Sequence, residues 1–187
     1  VTLIFEIAEK GGKLLAGTSS LWIVDTNAPA ETLARIAAAA QAGGNRLAVN
    51  AISARKAPRA AAILAQTAFL FCNRAEAAVL SGLATDAPTL DLATALLDKG
   101  VEAVILTDGA RSATIATRRA LWRAMPLPVT VADVTGAGDA VAAGVLSRLV
   151  RTDAITAPEP ALSAALADGL AAASLAVEMR GADVPLT

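Results

Sequence analysis

The chain has 187 residues, 16 basic and 17 acidic side chains and a net charge of −1, enough for one domain with a substantial core or for part of a larger one. The basic residues are scattered and aromatics make up 3%, which leaves neither a cationic track nor a stacking platform for nucleic acid. Histidine is absent and Cys72 is the single cysteine, so Ser-His-Asp and Cys-His nucleophile systems, most zinc sites and an internal disulfide are all excluded. Acid–base chemistry must therefore rest on carboxylates, lysines or that one thiol. A lone thiol fits a reducing compartment, and the expected location is cytoplasmic. The longest uncharged stretch, residues 60–73, contains Gln66, Thr67 and Asn73; it is too short and polar for a membrane span, and no secretory leader is expected.

The expected elements alternate. Residues 21–25 form a buried strand, and Pro29 opens a helix to about residue 41 that Gly43-Gly44 stops. A second strand (47–50), a helix (57–66), a third strand (68–72) and a helix (74–80, stopped at Gly82) follow. Then come a helix over 91–99, a buried strand over 101–107, and a weak hairpin from 112–117 and 120–125 around Arg118-Arg119. The β-branched run Val129-Thr130-Val131 reads as extended, residues 140–150 as helix, and residues 161–179 as a long alanine-rich helix. Strands alternating with helices imply an α/β fold, a mainly parallel sheet covered on both faces, in one domain spanning residues 1–187. Ligands in such sheets lie at the carboxyl ends of the strands. Polar residues collect there: Asp25 and Asn27, Asn50 and Ser53, Asn73 and Glu76, Thr107 and Asp108, Asp133 and Thr135.

The most informative segment is Asp133-Val134-Thr135-Gly136-Ala137-Gly138-Asp139-Ala140. An extended run feeding a glycine turn and a helix directs bare backbone N–H groups, and the positive end of a helix dipole, at one spot suited to an anion. Asp139 is a carboxylate within the same turn, placed to take a proton from an attacking hydroxyl. Together they point to phosphoryl transfer. Two other readings compete. A dinucleotide fingerprint would need a third glycine where Val141 stands, and a plain tight turn with a helix-stabilising aspartate needs no ligand at all. No Gly-x-x-x-x-Gly-Lys-Ser/Thr loop is present, so a P-loop enzyme is not indicated. Asn73-x-x-Glu76 likewise reads either as a phosphate-site motif or as a helix-capping box, and Thr107-Asp108-Gly109 as a phosphate loop or a turn. Ser53 and Lys56 are candidate ligand contacts or a cap and a solvated lysine.

Asn73-x-x-Glu76, Thr107-x-Gly109 and Asp133-x-Thr135-Gly-Ala-Gly-Asp139, in that order, resemble the C-terminal part of a ribokinase-type (PfkB) carbohydrate kinase. The resemblance implies a three-layer α/β/α sandwich whose N-terminal half and lid lie outside this chain. It implies Asp139 as catalytic base, with amides of Gly136, Ala137 and Gly138 forming the anion hole. It implies Asn73, Glu76, Thr107, Gly109 and Thr135 at the ATP phosphates, Glu76 organising Mg2+ through water, and Asp133 at a monovalent-cation (K+) site. Asp25-Thr26-Asn27, Ile52-Ser53-Ala54-Arg55-Lys56, Asn73-Arg74-Ala75-Glu76-Ala77 and Leu80-Ser81-Gly82 are similar to the pseudouridine kinase branch, although Asn50-Ala51 and Phe71-Cys72 replace its usual Asp-Pro and Thr-Pro. The implied activity is ATP-dependent phosphorylation of pseudouridine at its 5′-hydroxyl. The alternatives are another sugar or nucleoside kinase of the family, or a non-catalytic nucleotide- or sugar-binding sensor. A small-molecule partner is expected, with no nucleic acid and no membrane, and a homodimer is allowed. The chain alone is expected to be weakly active or inactive.

Overall fold

The computed structural model describes residues 2–3 and 21–178. Met179, the expected end of the last helix, lies outside the described residues. The elements in order are β1 (Thr2–Leu3), β2 (Leu21–Asp25), α1 (Ala30–Ala42), β3 (Arg46–Asn50), a 3₁₀ helix (Ala57–Gln66), β4 (Phe69–Asn73), α2 (Arg74–Ser81), α3 (Thr89–Asp98), β5 (Ala103–Thr107), β6 (Ala113–Thr117), β7 (Leu121–Ala124), α4 (Ala137–Arg151) and α5 (Glu159–Glu178). The fold is α/β with a mainly parallel sheet, as its composition of alternating elements predicts. The chain divides into two compact units, residues 1–106 with 116–119, and residues 107–115 with 120–187.

In the first unit the strands neighbour one another in chain order, β1 to β5. β1–β2, β2–β3 and β3–β4 are parallel, and Asp25 stands level with Asn50, which stands level with Phe71. Parallel neighbours need long crossovers, and α1 supplies one. It starts after Pro29, carries Glu31 in its first turn, and buries Leu33, Ile36, Ala37 and Ala40 at helical spacing. Each buried leucine or isoleucine there contributes about 2 kcal/mol. The 3₁₀ helix runs ten residues, far beyond the usual three or four. Gly100, at φ +100°, closes the turn after α3, where an added Cβ would stand 2.8 Å from Ala65 Cα. Arg118 is not the free hairpin cation its position suggests: its Nη2 donates to Leu97 O at 2.8 Å, at the carbonyl end of α3.

β6 and β7 are neighbours joined by residues 118–120, a connection only an antiparallel pair can use. Residues 129–131 belong to no strand. β propensity alone does not make a strand: Val131 and its neighbour Thr130 are exposed, and Pro126 and Pro128 immediately upstream remove ladder donors. The last of the expected strand ends, Asp133 and Thr135, is therefore a loop rather than a strand terminus. α4 and α5 pack closely through glycine, since a Cβ on Gly144 would meet Asp168 O and Gly169 Cα, each at 2.7 Å. Asp168 pairs with Arg148 and Arg151 across that contact. α5 is the one helix among the described residues long and apolar enough to cross a membrane (mean hydropathy 1.5); its glycine packing and its ion pairs with α4 suit a helix packed within the second unit.

Candidate functional site

In the first unit the carboxyl ends of β2, β3 and β4 carry interlocked polar side chains. Asn73 ends β4 in extended conformation and caps α2. Its Oδ1 accepts from Glu76 N at 3.0 Å, while Glu76 Oε2 and Oε1 accept from Asn73 N and Nδ2, both at 2.8 Å. This is a full capping box, so the motif read two ways in the sequence is certainly structural. Glu76 is only 3% exposed, and a buried carboxylate carries a desolvation cost that an ordinary surface cap avoids. Burial pushes the Cys72 thiol well above its ordinary range, with the Glu76 carboxylate adding to the effect. Such a thiol is not a nucleophile at neutral pH.

At β2, Asp25 accepts from Asn27 N at 2.8 Å and from Asn27 Nδ2 at 3.3 Å, and Lys56 Nζ donates to Asn27 Oδ1. Sequence spacing alone left Lys56 and Ser53 ambiguous; the fold ties Lys56 to the end of β2 and Ser53 into a tight turn after β3.

In the second unit the glycine turn forms as the sequence predicts. Asp133 Oδ1 accepts from Thr135 N at 2.9 Å, and the amides of Ala132 and Asp133 donate to Val177 O at 2.7 and 3.2 Å. Gly136 caps α4 at φ 81°, ψ −3°, a left-handed conformation that glycine adopts without cost. Ala137 N–H donates to Val134 O at 3.2 Å, a long bond that an incoming anion could share. Asp139 is exposed in the first turn of a fifteen-residue helix, where the dipole places about half a positive charge.

Beside the turn lies a cavity of about 470 Å³, lined by Thr107, Gly109, Ala137 and Gly138 together with apolar side chains such as Val134 and Val141. Thr107, Gly109, Ala137 and Gly138 thus meet at one space, with Asp133, Thr135, Gly136 and Asp139 contiguous to it in the chain. Asn73 and Glu76 belong to the other unit. Sequence reasoning missed the cavity wall: Met125, Leu127, Val131 and Val134 are exposed apolar residues that line it. It also missed Ser174, which lines the cavity from α5 with a buried hydroxyl that has no hydrogen-bond partner among the described residues. The Met125-Pro-Leu-Pro-Val run was the only local signal. Among the described residues no group of three or more acidic, cysteine or histidine side chains could hold a metal.

Comparison with known proteins bears on this geometry. The model of the pfkB family carbohydrate kinases matches residues 8–187. A carbohydrate kinase from Agrobacterium tumefaciens is 32% identical, with a TM-score of 0.70 over 88% of this chain and 50% of its own. Adenosine kinase from Schistosoma mansoni, in complex with 2-fluoroadenosine, shares the fold at 17% identity, with a TM-score of 0.78 over 98% of this chain and 57% of its own. Aminoimidazole riboside kinase from Salmonella enterica, complexed with aminoimidazole riboside and an ATP analog, does so at 24% identity, with a TM-score of 0.72 over 87% and 57%. The chain spans about half the length of these structures. No curated protein matches the sequence. With a family match over nearly the whole chain and the glycine turn, capping pair and strand order in place, the chain belongs to the pfkB family of carbohydrate kinases.

Proposed function

We propose that the protein transfers the γ-phosphoryl group of ATP to a hydroxyl of a sugar or nucleoside. The observation that carries this is the left-handed Gly136 turn opening α4, with the exposed Asp139 carboxylate one turn in and an apolar cavity alongside. Asp139 takes the proton from the substrate hydroxyl. The oxygen attacks the γ-phosphorus, a new O–P bond forms, the bond to the bridging β–γ oxygen breaks, and ADP leaves. The transition state is loose, so the protein chiefly positions the reactants and offsets charge. Amides at Gly136–Gly138 and the start of α4 provide that at the transferred group. The cavity wall receives the nucleobase, and Thr107 and Gly109 lie where its phosphates would begin.

The donor chemistry of Glu76 fits a magnesium ion held mainly by phosphate and water. Its two oxygens already accept from Asn73, and no protein cage of three ligands accompanies it among the described residues; magnesium commonly keeps several waters. Bound there, the ion would neutralise phosphate charge. Asp133, which accepts from Thr135 N at the start of the glycine turn, is the candidate partner for potassium beside the anion hole.

Pseudouridine is the substrate we favour, supported by Asp25-x-Asn27, Ser53-x-x-Lys56 and Asn73-x-x-Glu76-Ala77 at the separations typical of that branch. The test is ADP release by the full-length protein with ATP, magnesium and potassium, against pseudouridine, ribose, adenosine and fructose. Pseudouridine-dependent release supports the whole reading. Release with another acceptor keeps the kinase and removes pseudouridine. ATP binding without release on any acceptor would make the protein a sensor instead.

A further inference from the structure

The cavity beside the glycine turn lies wholly within the second unit, since residues 107–113, 125–141 and 170–177 supply its walls. Its volume of about 470 Å³ falls in the range of about 300–1,000 Å³ usual for small-molecule pockets. Such pockets set specificity with a few polar groups placed against the edges of the ligand. The polar side chains on this wall therefore determine what the cavity can tell apart. They are Thr107, Ser112 and Ser174, and all three are hydroxyls. Among the described residues no carboxylate, amide, lysine or arginine side chain lines it. The charged pair on the same loop is turned on itself, Arg111 Nε and Nη2 donating to Asp108 Oδ2 and Oδ1 at 3.0 and 2.6 Å.

The main chain bordering the cavity adds little. Pro126 and Pro128 have no N–H to offer. The amides of Ala132 and Asp133 donate to Val177 O at 2.7 and 3.2 Å, and those of Asp108 and Arg111 close their own loop onto Ser112 O and Asp108 O at 2.9 and 3.1 Å. Much of the remaining wall is hydrocarbon, with Met125, Leu127, Val131 and Val134 exposed, and a methionine adapts to ligands of different outline. Ser174 marks the wall as facing a ligand. It is 5% exposed, and its hydroxyl has no partner among the described residues. Leaving it so costs about 1–3 kcal/mol, which a bound molecule with a polar edge relieves.

A hydroxyl donates as readily as it accepts, and its hydrogen turns to suit the partner. A carboxylate can only accept and a lysine can only donate, so either would distinguish an amino group from an oxo group. A serine pairs with both. The exocyclic amino group of adenine and the carbonyl oxygen of guanine are therefore alike to this wall. The other contacts do not separate them, because amides at the glycine turn meet phosphates and apolar side chains meet ring faces, and both nucleotides have these in common. We infer that the cavity is a purine site whose base edges are read by serine hydroxyls, and that the protein takes GTP as a phosphoryl donor on a par with ATP. This rests on the kinase reading and widens its donor. The bond broken is the same, between the γ-phosphorus and the bridging oxygen, and GDP leaves in place of ADP.

The experiment is calorimetric titration of the full-length protein with Mg-ATP, Mg-GTP and magnesium tripolyphosphate, in wild type and Ser174→Ala, with melting curves to confirm folding. GTP should bind wild type within about ten-fold of ATP, since a wall that opposed one base edge would penalise it by about 10- to 100-fold. Ser174→Ala should weaken ATP and GTP by the same few-fold factor and leave tripolyphosphate, which has no base, unchanged. A preference for ATP above about ten-fold overturns the inference, and this wild-type comparison stands whether or not the variant folds. A loss in Ser174→Ala confined to one nucleotide, or absent for both, overturns it too. An equal loss for tripolyphosphate would mark a structural role for Ser174 and overturn the hydroxyl reading. A wild type that binds neither nucleotide removes the kinase reading itself, a result distinct from all of these.

Discussion

The two units present polar groups in opposite ways. At the ends of β2 to β4 the first unit uses side chains, and each is bonded to another: Asn73 to Glu76, Asp25 to Asn27, Asn27 to Lys56. The second unit uses backbone, a glycine turn at Gly136 and the first amides of α4, set beside a cavity wall that is mostly hydrocarbon. The difference matches what each kind of group does well. Interlocked side chains hold charges at fixed positions without ligand, at the cost of burying groups such as Glu76. Backbone amides at a helix start carry partial positive charge wherever the turn is made, and they leave the neighbouring wall free to exclude water, which strengthens electrostatics there.

Asp139 is the one exposed carboxylate in the backbone site, so its replacement should give the largest effect. Asp139→Asn keeps the shape and removes the base. Turnover should fall by about 10²- to 10⁴-fold, with ATP affinity within a few-fold of wild type. Steady-state ADP release and ATP titration on the same preparation check this. Undiminished turnover would remove Asp139 from the chemistry and leave the glycine turn as a binding feature only.

Glu76→Gln tests the side-chain site. One amide group must then face an Asn73 donor with a donor of its own, so one of the two bonds from Asn73 is lost. Stability should drop by about 1 kcal/mol. The magnesium needed for half-maximal activity should rise by about 10- to 100-fold, the range for a group that organises a metal through its surroundings. A loss of stability with no change in magnesium dependence would reduce the motif to a capping box.

How much of this was legible in the sequence follows from the range of the forces involved. β2 was bounded to the residue, and α2 nearly so, because a buried apolar run and a capping pair are local signals within a few positions. The glycine turn was legible for the same reason: Gly136 must reach φ 81°, and few residues can. Residues 129–131 misled because β-branched residues favour strands only where a partner strand exists. The cavity and Ser174 could not be read, since residues 107–113, 125–141 and 170–177 meet only through the fold. Lys56 fell between: its spacing from Ser53 was visible, but not the bond to Asn27, 29 positions away.

Cys72 offers a smaller effect on the first unit. Its thiol is neutral in the folded state well above the ordinary value of about 8.5. Unfolded, it loses its proton near that ordinary value, so above it the folded state binds one more proton than the unfolded one. The contribution is fully present below about pH 8 and is lost as pH rises further. Urea melts between pH 7 and 10 should show stability declining in wild type, with one proton's worth of that slope absent from Cys72→Ala. Equal slopes would mean that the thiol titrates alike in both states.

Ser174→Ala should give the smallest change and the most direct test of the cavity. The hydroxyl is buried without a partner among the described residues, so in the ligand-free protein it carries a desolvation cost of about 1–3 kcal/mol. Removing it should leave stability unchanged or raise it by up to about 1 kcal/mol, the gain being reduced by the lost contacts of one oxygen atom. A nucleobase in the cavity would give a rotated hydroxyl its missing partner, since a serine side chain moves readily among three rotamers. ATP affinity should then fall by a few-fold in the same variant that is no less stable than wild type. Opposite signs in the two measurements are what a ligand-facing hydroxyl produces. Parallel losses would mean that Ser174 packs α5 and reads nothing.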